Sequence, residues 1–239
     1  MKYKRKIKFG WILFGIWILC SGVLRANAGI SLFVMELENP LLTLVNWEHP
    51  LEEGWTVNLV EIEEGYQVDR RMYEDLRAML ADMRSQGLYP RICSAYRDYD
   101  MQNQLHEREV EAFRYQGLSE EEARNQARLW VAVPGTSEHQ MGLAVDILDE
   151  GWMEMDESQE NTEVQKWLMA HCADYGFILR YPVGKTELTG IGYEPWHYRY
   201  VGKGTARLIM DSGLCMEEYL EMMRGIKVEI PQVFQKRKI

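Results

Sequence analysis

Two imidazoles and two carboxylates stand out in the second half of this chain. They lie in the segments Ser137-Glu138-His139-Gln140-Met141-Gly142-Leu143-Ala144-Val145-Asp146 and Glu194-Pro195-Trp196-His197. Zinc takes nitrogen and oxygen ligands in a tetrahedral shell, and a catalytic zinc site keeps one position open for water. His139, Asp146 and His197 would fill three protein positions of such a shell. Glu194 stands three residues before one of them and can reach the water without binding the metal itself. Gly142 falls between the first two ligands, where the backbone has to bend. The chain has only five histidines, and His49, His106 and His171 sit in amphipathic or charged settings. Taken singly, an HxxxxxxD or an ExxH spacing is weak, because a lone histidine is more often a core or surface residue.

The elements that must carry these groups read as helices first and strands later. Asp69 is a good N-cap, Leu76, Met79, Leu80 and Met83 mark one helical face, and Gly87 supplies the stop. A strand is expected over residues 89–95. A second helix starts near Asp98 and carries Leu105, Val110 and Phe113. Ser119 and Glu122 form a capping box, so a third helix should run to about Trp130. From Val133 the pattern changes. Residues 143–147, 177–181 and 197–201 read as strands, with a Gly-rich loop from 184 to 193. A helix from about Thr162 presents Val164, Trp167, Leu168 and His171 and ends at Gly176. Short helices are expected at 205–211 and 216–223. This order favours an α+β fold with a small, mainly antiparallel sheet flanked by helices.

The N-terminus reads as a targeting segment. Lys2, Lys4, Arg5, Lys6 and Lys8 precede an apolar run from Trp11 to Leu24 and the sequence Ala26-Asn27-Ala28, the parts of a secretory signal peptide. An uncleaved membrane anchor that also takes in residues 30–35 is the alternative. Both place the remainder outside the cytoplasm and confine membrane contact to this segment. Cys20 follows the bulky Leu19 and does not suit lipid attachment. Without the six Lys/Arg of residues 1–28, 21 basic residues face 37 acidic ones, a net charge of −16. Such a surface speaks against nucleic acid as a partner, since phosphate binding needs Lys and Arg. Cys93, Cys172 and Cys215 have no CxxC spacing and read as buried small hydrophobes. The expected organisation is a targeting segment (1–28), an N-terminal arm over the domain surface (29–65), a catalytic domain (66–225) and a tail (226–239).

In order, the two chemical segments closely resemble the zinc-dependent D-alanyl-D-alanine carboxypeptidases of the VanY type, whose pattern is SxHxxGxAxD followed by ExWH. Every one of those positions matches here. Upstream, Ser94-Ala95-Tyr96-Arg97 resembles the family's S-G-Y-R segment with Ala95 in place of glycine, and Gln102 follows Arg97 by five. The likeness also takes in residues 177–182 and 198–202 and spans roughly residues 38–205. It implies a hedgehog/DD-peptidase-like fold with one zinc cleft and zinc on His139, Asp146 and His197. Glu194 then serves as general base and acid, and Arg97 as a cationic partner for the oxyanion or a substrate carboxylate. Ser137 and Gln102 resemble positions that hold the terminal D-residue. Tyr96 and Tyr181 are candidate cleft walls, and Trp196 packs beside the metal. The implied substrate is a peptidoglycan stem peptide, and the chain is expected to act as a monomer. Met141 stands where relatives often have Thr, which bears on fine substrate preference.

Two rivals remain open at this level. One is a peptidase of the same fold that acts on a tetrapeptide stem or an internal L,D bond. The other is a zinc-stabilised module that binds cell wall without cutting it, against which Glu194 and Arg97 argue. No SxxK or GxSxG element supports a serine mechanism, and no phosphate-binding loop implies a nucleotide.

Overall fold

The structure, a computed structural model, describes residues 39–63 and 65–229, with side chains to residue 225. The targeting segment and the tail beyond 229 lie outside the described residues. Among the described residues no helix is long and apolar enough to cross a membrane.

A short hairpin, β1 (Leu59–Glu63) and β2 (Tyr66–Asp69), leads directly into helix α1 (Arg70–Ser85). Asp69 caps that helix, its carboxylate accepting from the Arg71 backbone N–H at 2.9 Å. Met72, Leu76, Met79, Leu80 and Met83 are all buried, the i, i+4, i+7 stripe that turns a helix towards a core. Strand β3 (Pro90–Ser94) follows, then helices α2 (Tyr99–Tyr115) and α3 (Glu120–Ala127). The Ser119–Glu122 capping box forms as read. α3 ends at Ala127, before Trp130, because residues 128–131 fold back as turns on its last carbonyls. The remaining elements are β4 (Ala144–Asp149), α4 (Glu163–His171), β5 (Phe177–Leu179), the one-turn α5 (Thr186–Thr189), β6 (His197–Tyr200), α6 (Lys203–Ser212) and α7 (Met216–Glu229).

The main sheet is antiparallel with the order β3-β4-β6-β5. It separates two cores. Ile92, Val145, Ile147, Phe177, Tyr198 and Tyr200 pack with α1 and with Val164 and Leu168 of α4. Ile178 and Val201 join a second cluster with Ala206, Ile209, Met216 and Tyr219 from α6 and α7. Burying an aliphatic or aromatic side chain contributes about 1.5–3 kcal/mol, so these two clusters fix the sheet between its helices.

Two features differ from the reading of the sequence. The N-terminal arm also inserts side chains inward, Val45 into the first core and Leu42 into the second, and its end forms the hairpin. The Gly-rich loop contains the single helical turn of α5. Cys93, Cys172 and Cys215 are free thiols, the last two buried. Burial pushes the thiols of Cys93 and Cys172 upward, to about 12 for Cys172, so they pack as small apolar groups.

Candidate metal centre

Sheet register brings two of the candidate ligands together. Asp146 on β4 pairs directly with His197 on β6, and Ser94 on β3 pairs with Asp146 from the other side. The third, His139, sits in a buried 3-10 turn over Glu138–Met141 that ends at Gly142. Gly142 has φ +66°, and a Cβ there would lie 2.9 Å from both the Asp69 backbone nitrogen and Val57 Cγ1. Only glycine turns the chain from that 3-10 turn into β4 while its carbonyl accepts from the Asp69 N–H at 2.8 Å. The bend read from the sequence is therefore real.

The donor atoms of His139, Asp146 and His197 all lie within 4.8 Å of one another. His139 Nε2 is 3.2 Å from Asp146 Oδ2, and His197 Nδ1 is 3.1 Å from Asp146 Oδ1. The two rings stand at 89° with centroids 4.9 Å apart. His139 Nδ1 lies 2.7 Å from the Ala95 carbonyl, which can only accept, so that nitrogen carries the hydrogen and Nε2 keeps its lone pair. Asp146 Oδ1 is buried without a hydrogen-bond partner among the described residues, despite its closeness to His197. A buried carboxylate oxygen with no donor, 3.1 Å from an imidazole nitrogen, is costly unless a cation joins them. This donor set, two nitrogens and one oxygen, fits zinc.

Electrostatics follow from burial and charge. Burial, with Arg97 nearby, lowers His139 to about 4, so this ring is neutral and ready to ligate. For His197 burial acts downward, but the facing carboxylates of Asp146 and Glu138 outweigh it and raise the ring to about 9. Asp146 is driven well below the usual carboxylate range: the neighbouring imidazoles, His139 first, overcome the upward push of burial. Glu194 is buried with Oε2 3.7 Å from His197 Nδ1. Burial, reinforced by Asp146, raises its carboxyl to about 8, with His197 opposing.

The other expected site residues separate into those that line the cleft and those that do not. A cleft of about 710 Å³ is lined by Arg97, Ser137, Tyr181, Trp196 and the four chemical side chains. Leu105, Glu109 and Phe113 of α2, residues 130–132, residues 155–158 and Ile191 complete its walls. The Tyr181 ring packs on His197 with centroids 4.7 Å apart. Arg97 is not a surface residue: its guanidinium donates to Asp146 Oδ2 at 2.7 Å, Ser94 Oγ at 2.7 Å and Gln102 Oε1 at 3.3 Å. Gln102, expected to hold substrate, is fully buried, and its amide nitrogen donates to the Ala132 carbonyl at 2.7 Å. Both ends of its amide are used inside the protein, behind Arg97. Tyr96 is not among the residues lining the cleft; its backbone N–H bonds to Gln67.

A group that the sequence reading passed over stands behind His197. Glu138 Oε2 is 3.4 Å from His197 Nε2. Glu138 Oε1 accepts from Arg180 Nε at 2.7 Å and Arg199 Nη1 at 2.8 Å. Both arginines and Glu138 are buried, and the two guanidinium charges hold the Glu138 carboxyl well below its usual range against burial. A carboxylate behind a ligating imidazole fixes its tautomer and ring orientation. The available signal was an arginine directly after the apolar strand Phe177-Ile178-Leu179 and another inside His197-Tyr198-Arg199-Tyr200, since charges there need buried partners.

Comparison with known proteins agrees with this geometry. The family model for VanY D-alanyl-D-alanine carboxypeptidase matches residues 65–203. A D-alanyl-D-alanine carboxypeptidase of Enterococcus faecalis is 41% identical over 179 residues, covering 75% of this chain and 65% of that protein, so the chain spans slightly under two thirds of that relative's length. The vancomycin-resistance D,D-pentapeptidase VanY from a VanB-type cassette, solved with Zn(II), superimposes with a TM-score of 0.69 at 41% identity, over 75% of this chain and 98% of that one. The LD-carboxypeptidase LdcB gives a TM-score of 0.66 at 34% identity, over 77% and 86% of the two chains. By the family match, which takes in more than half of the sequence, the chain belongs to the VanY D-alanyl-D-alanine carboxypeptidase family.

Proposed function

We propose that this chain is a zinc-dependent carboxypeptidase that removes the terminal D-alanine from peptidoglycan stem peptides. The observation that carries the reading is the buried convergence of one donor atom each from His139, Asp146 and His197 in a cleft that also holds Glu194. These three side chains would hold zinc, which supplies Lewis-acid polarisation of the scissile carbonyl and lowers the pKa of a water to about 7. Glu194 takes a proton from the attacking water and delivers it to the departing amine nitrogen of D-alanine. Its raised proton affinity in the buried cleft suits both halves of that transfer. Arg97 presents its guanidinium at the cleft wall for the carboxylate or oxyanion of the substrate. Gln102 and Ser94 hold that guanidinium in place, which is the role their contacts support. Ser137 lines the cleft, and its hydroxyl is assigned to holding the terminal residue, while Tyr181 and Trp196 shape the space beside the metal.

A second reading, release of D-alanine from a tetrapeptide stem across an L,D bond, is favoured by the likeness to LdcB. Incubating the zinc-loaded protein with defined stems separates the two. Loss of one D-alanine from a stem ending in two D-alanines, with the tetrapeptide left intact, supports the first. Cleavage of the tetrapeptide alone would replace it with the second. The chain is proposed to work as a monomer outside the cytoplasm, delivered there by residues 1–28.

A further inference from the structure

The Glu138 network does not stop at the edge of the matched family region. Arg180 turns its other two nitrogens onto Glu217 of α7, Nη1 to Oε2 at 2.9 Å and Nη2 to Oε1 at 2.6 Å. Glu217 Oε1 also accepts from Asn46 Nδ2 at 3.2 Å. Arg199 Nη2 donates to the carbonyls of Leu41 at 2.8 Å and Thr43 at 3.1 Å. Glu217, Asn46, Leu41 and Thr43 all lie outside residues 65–203.

We infer that Glu217 is a positioning residue of the metal centre, acting through Arg180 and Glu138 on His197, and that the arm around residues 41–46 completes the same support. The inference rests on the reading of His197 as a metal ligand. Charge arithmetic supplies the reason. Two buried guanidinium groups and two carboxylates sum to zero around Glu138. Without Glu217 the group carries one net positive charge directly behind an imidazole that must bind a dication, and Glu138 is drawn away from His197 towards Arg180. Buried networks of this kind lose more than one bond when one member is removed, because the remaining charges are left unmatched. The metal-binding unit therefore includes the arm and the start of α7 as well as the family-matched region.

The test is zinc affinity of the full chain, read by competition with a chromogenic chelator. Glu217→Gln should fold, by circular dichroism, and bind zinc about 10-fold or more weakly, the size expected when a group behind a metal ligand is lost. Glu217→Asp should recover part of that affinity. At saturating zinc, Glu217→Gln should lower kcat with KM little changed. Glu218→Gln on the same helix, which removes a surface pair with Lys185, should leave zinc affinity at the native value. Should Glu217→Gln not fold, Asn46→Ala removes one bond to the same carboxylate and should weaken zinc by a few-fold. Native affinity in folded Glu217→Gln, or in Asn46→Ala where the former cannot be studied, overturns the inference. A native chain that binds no zinc overturns the metal reading itself, a different and separable result.

Discussion

Successive residues of β4 and β6 serve opposite sides of one sheet, and the two sides obey different rules. On one, Val145, Ile147, Tyr198 and Tyr200 join the large apolar cluster. On the other, Asp146, His197 and Arg199 are equally buried, yet each has a charged neighbour at hydrogen-bonding distance. The apolar side is held by area removed from water, which has no direction. Any single side chain there can be trimmed at a bounded cost. The polar side is held by geometry, and removing one member leaves another charge stranded. Buried area and buried charge are thus not interchangeable, even one residue apart on the same strand.

The difference can be broken most severely at a ligand. His139→Ala should abolish stoichiometric zinc and reduce D-alanine release to background, checked by elemental analysis and mass spectrometry of stem peptides. Stoichiometric zinc retained in that protein would remove His139 from the ligand set. Next in size is Glu194→Ala, which should keep fold and zinc while kcat falls by roughly 10²–10⁴, the usual range for a lost general base. Full activity there would take the proton-transfer role from Glu194.

A third expectation concerns protons. In the metal-free cleft His197 is raised to about 9 and His139 lowered to about 4, so at neutral pH His197 carries a proton that the metal must displace while His139 does not. Because ligands bind metal deprotonated, apparent zinc affinity should rise with pH by about tenfold per unit between pH 6 and 8. Glu194, raised to about 8, would add to this slope. Calorimetry in buffers of different ionisation enthalpy should register release of at least one proton, and a pH-independent affinity would contradict a charged His197. The smallest effect belongs to the apolar side. Ile147→Val should cost about 0.5–1.5 kcal/mol of stability by denaturant unfolding, with zinc affinity unchanged, although Ile147 is the next residue to the proposed ligand Asp146.

Much of this molecule was legible before its structure, and the parts that were not share a cause. Helix α1, its Asp69 cap, the Ser119 capping box and the strands around Asp146 and His197 follow from local spacing. So does the bend at Gly142, and the convergence of His139, Asp146 and His197 follows from residue type and order. The hairpin β1–β2 was missed because Glu61 and Glu63 weaken its apolar pattern and its buried partners come from elsewhere. The internal use of Gln102 was hidden because its partner carbonyl is 30 residues away. Glu138, Arg180 and Arg199 lie next to the motif positions, yet their pairing spans 42 and 61 residues. Periodicity reports which face a residue takes. It does not report which distant charge waits there.

The most direct measurement is anomalous scattering at the zinc edge from crystals of the zinc-loaded protein. One peak is expected about 2.0–2.2 Å from His139 Nε2, Asp146 Oδ1 and His197 Nδ1, with Glu194 beside it and not bound. A peak elsewhere on the molecule, or one that leaves any of these three side chains out of its shell, would contradict the metal centre and the peptidase function built on it.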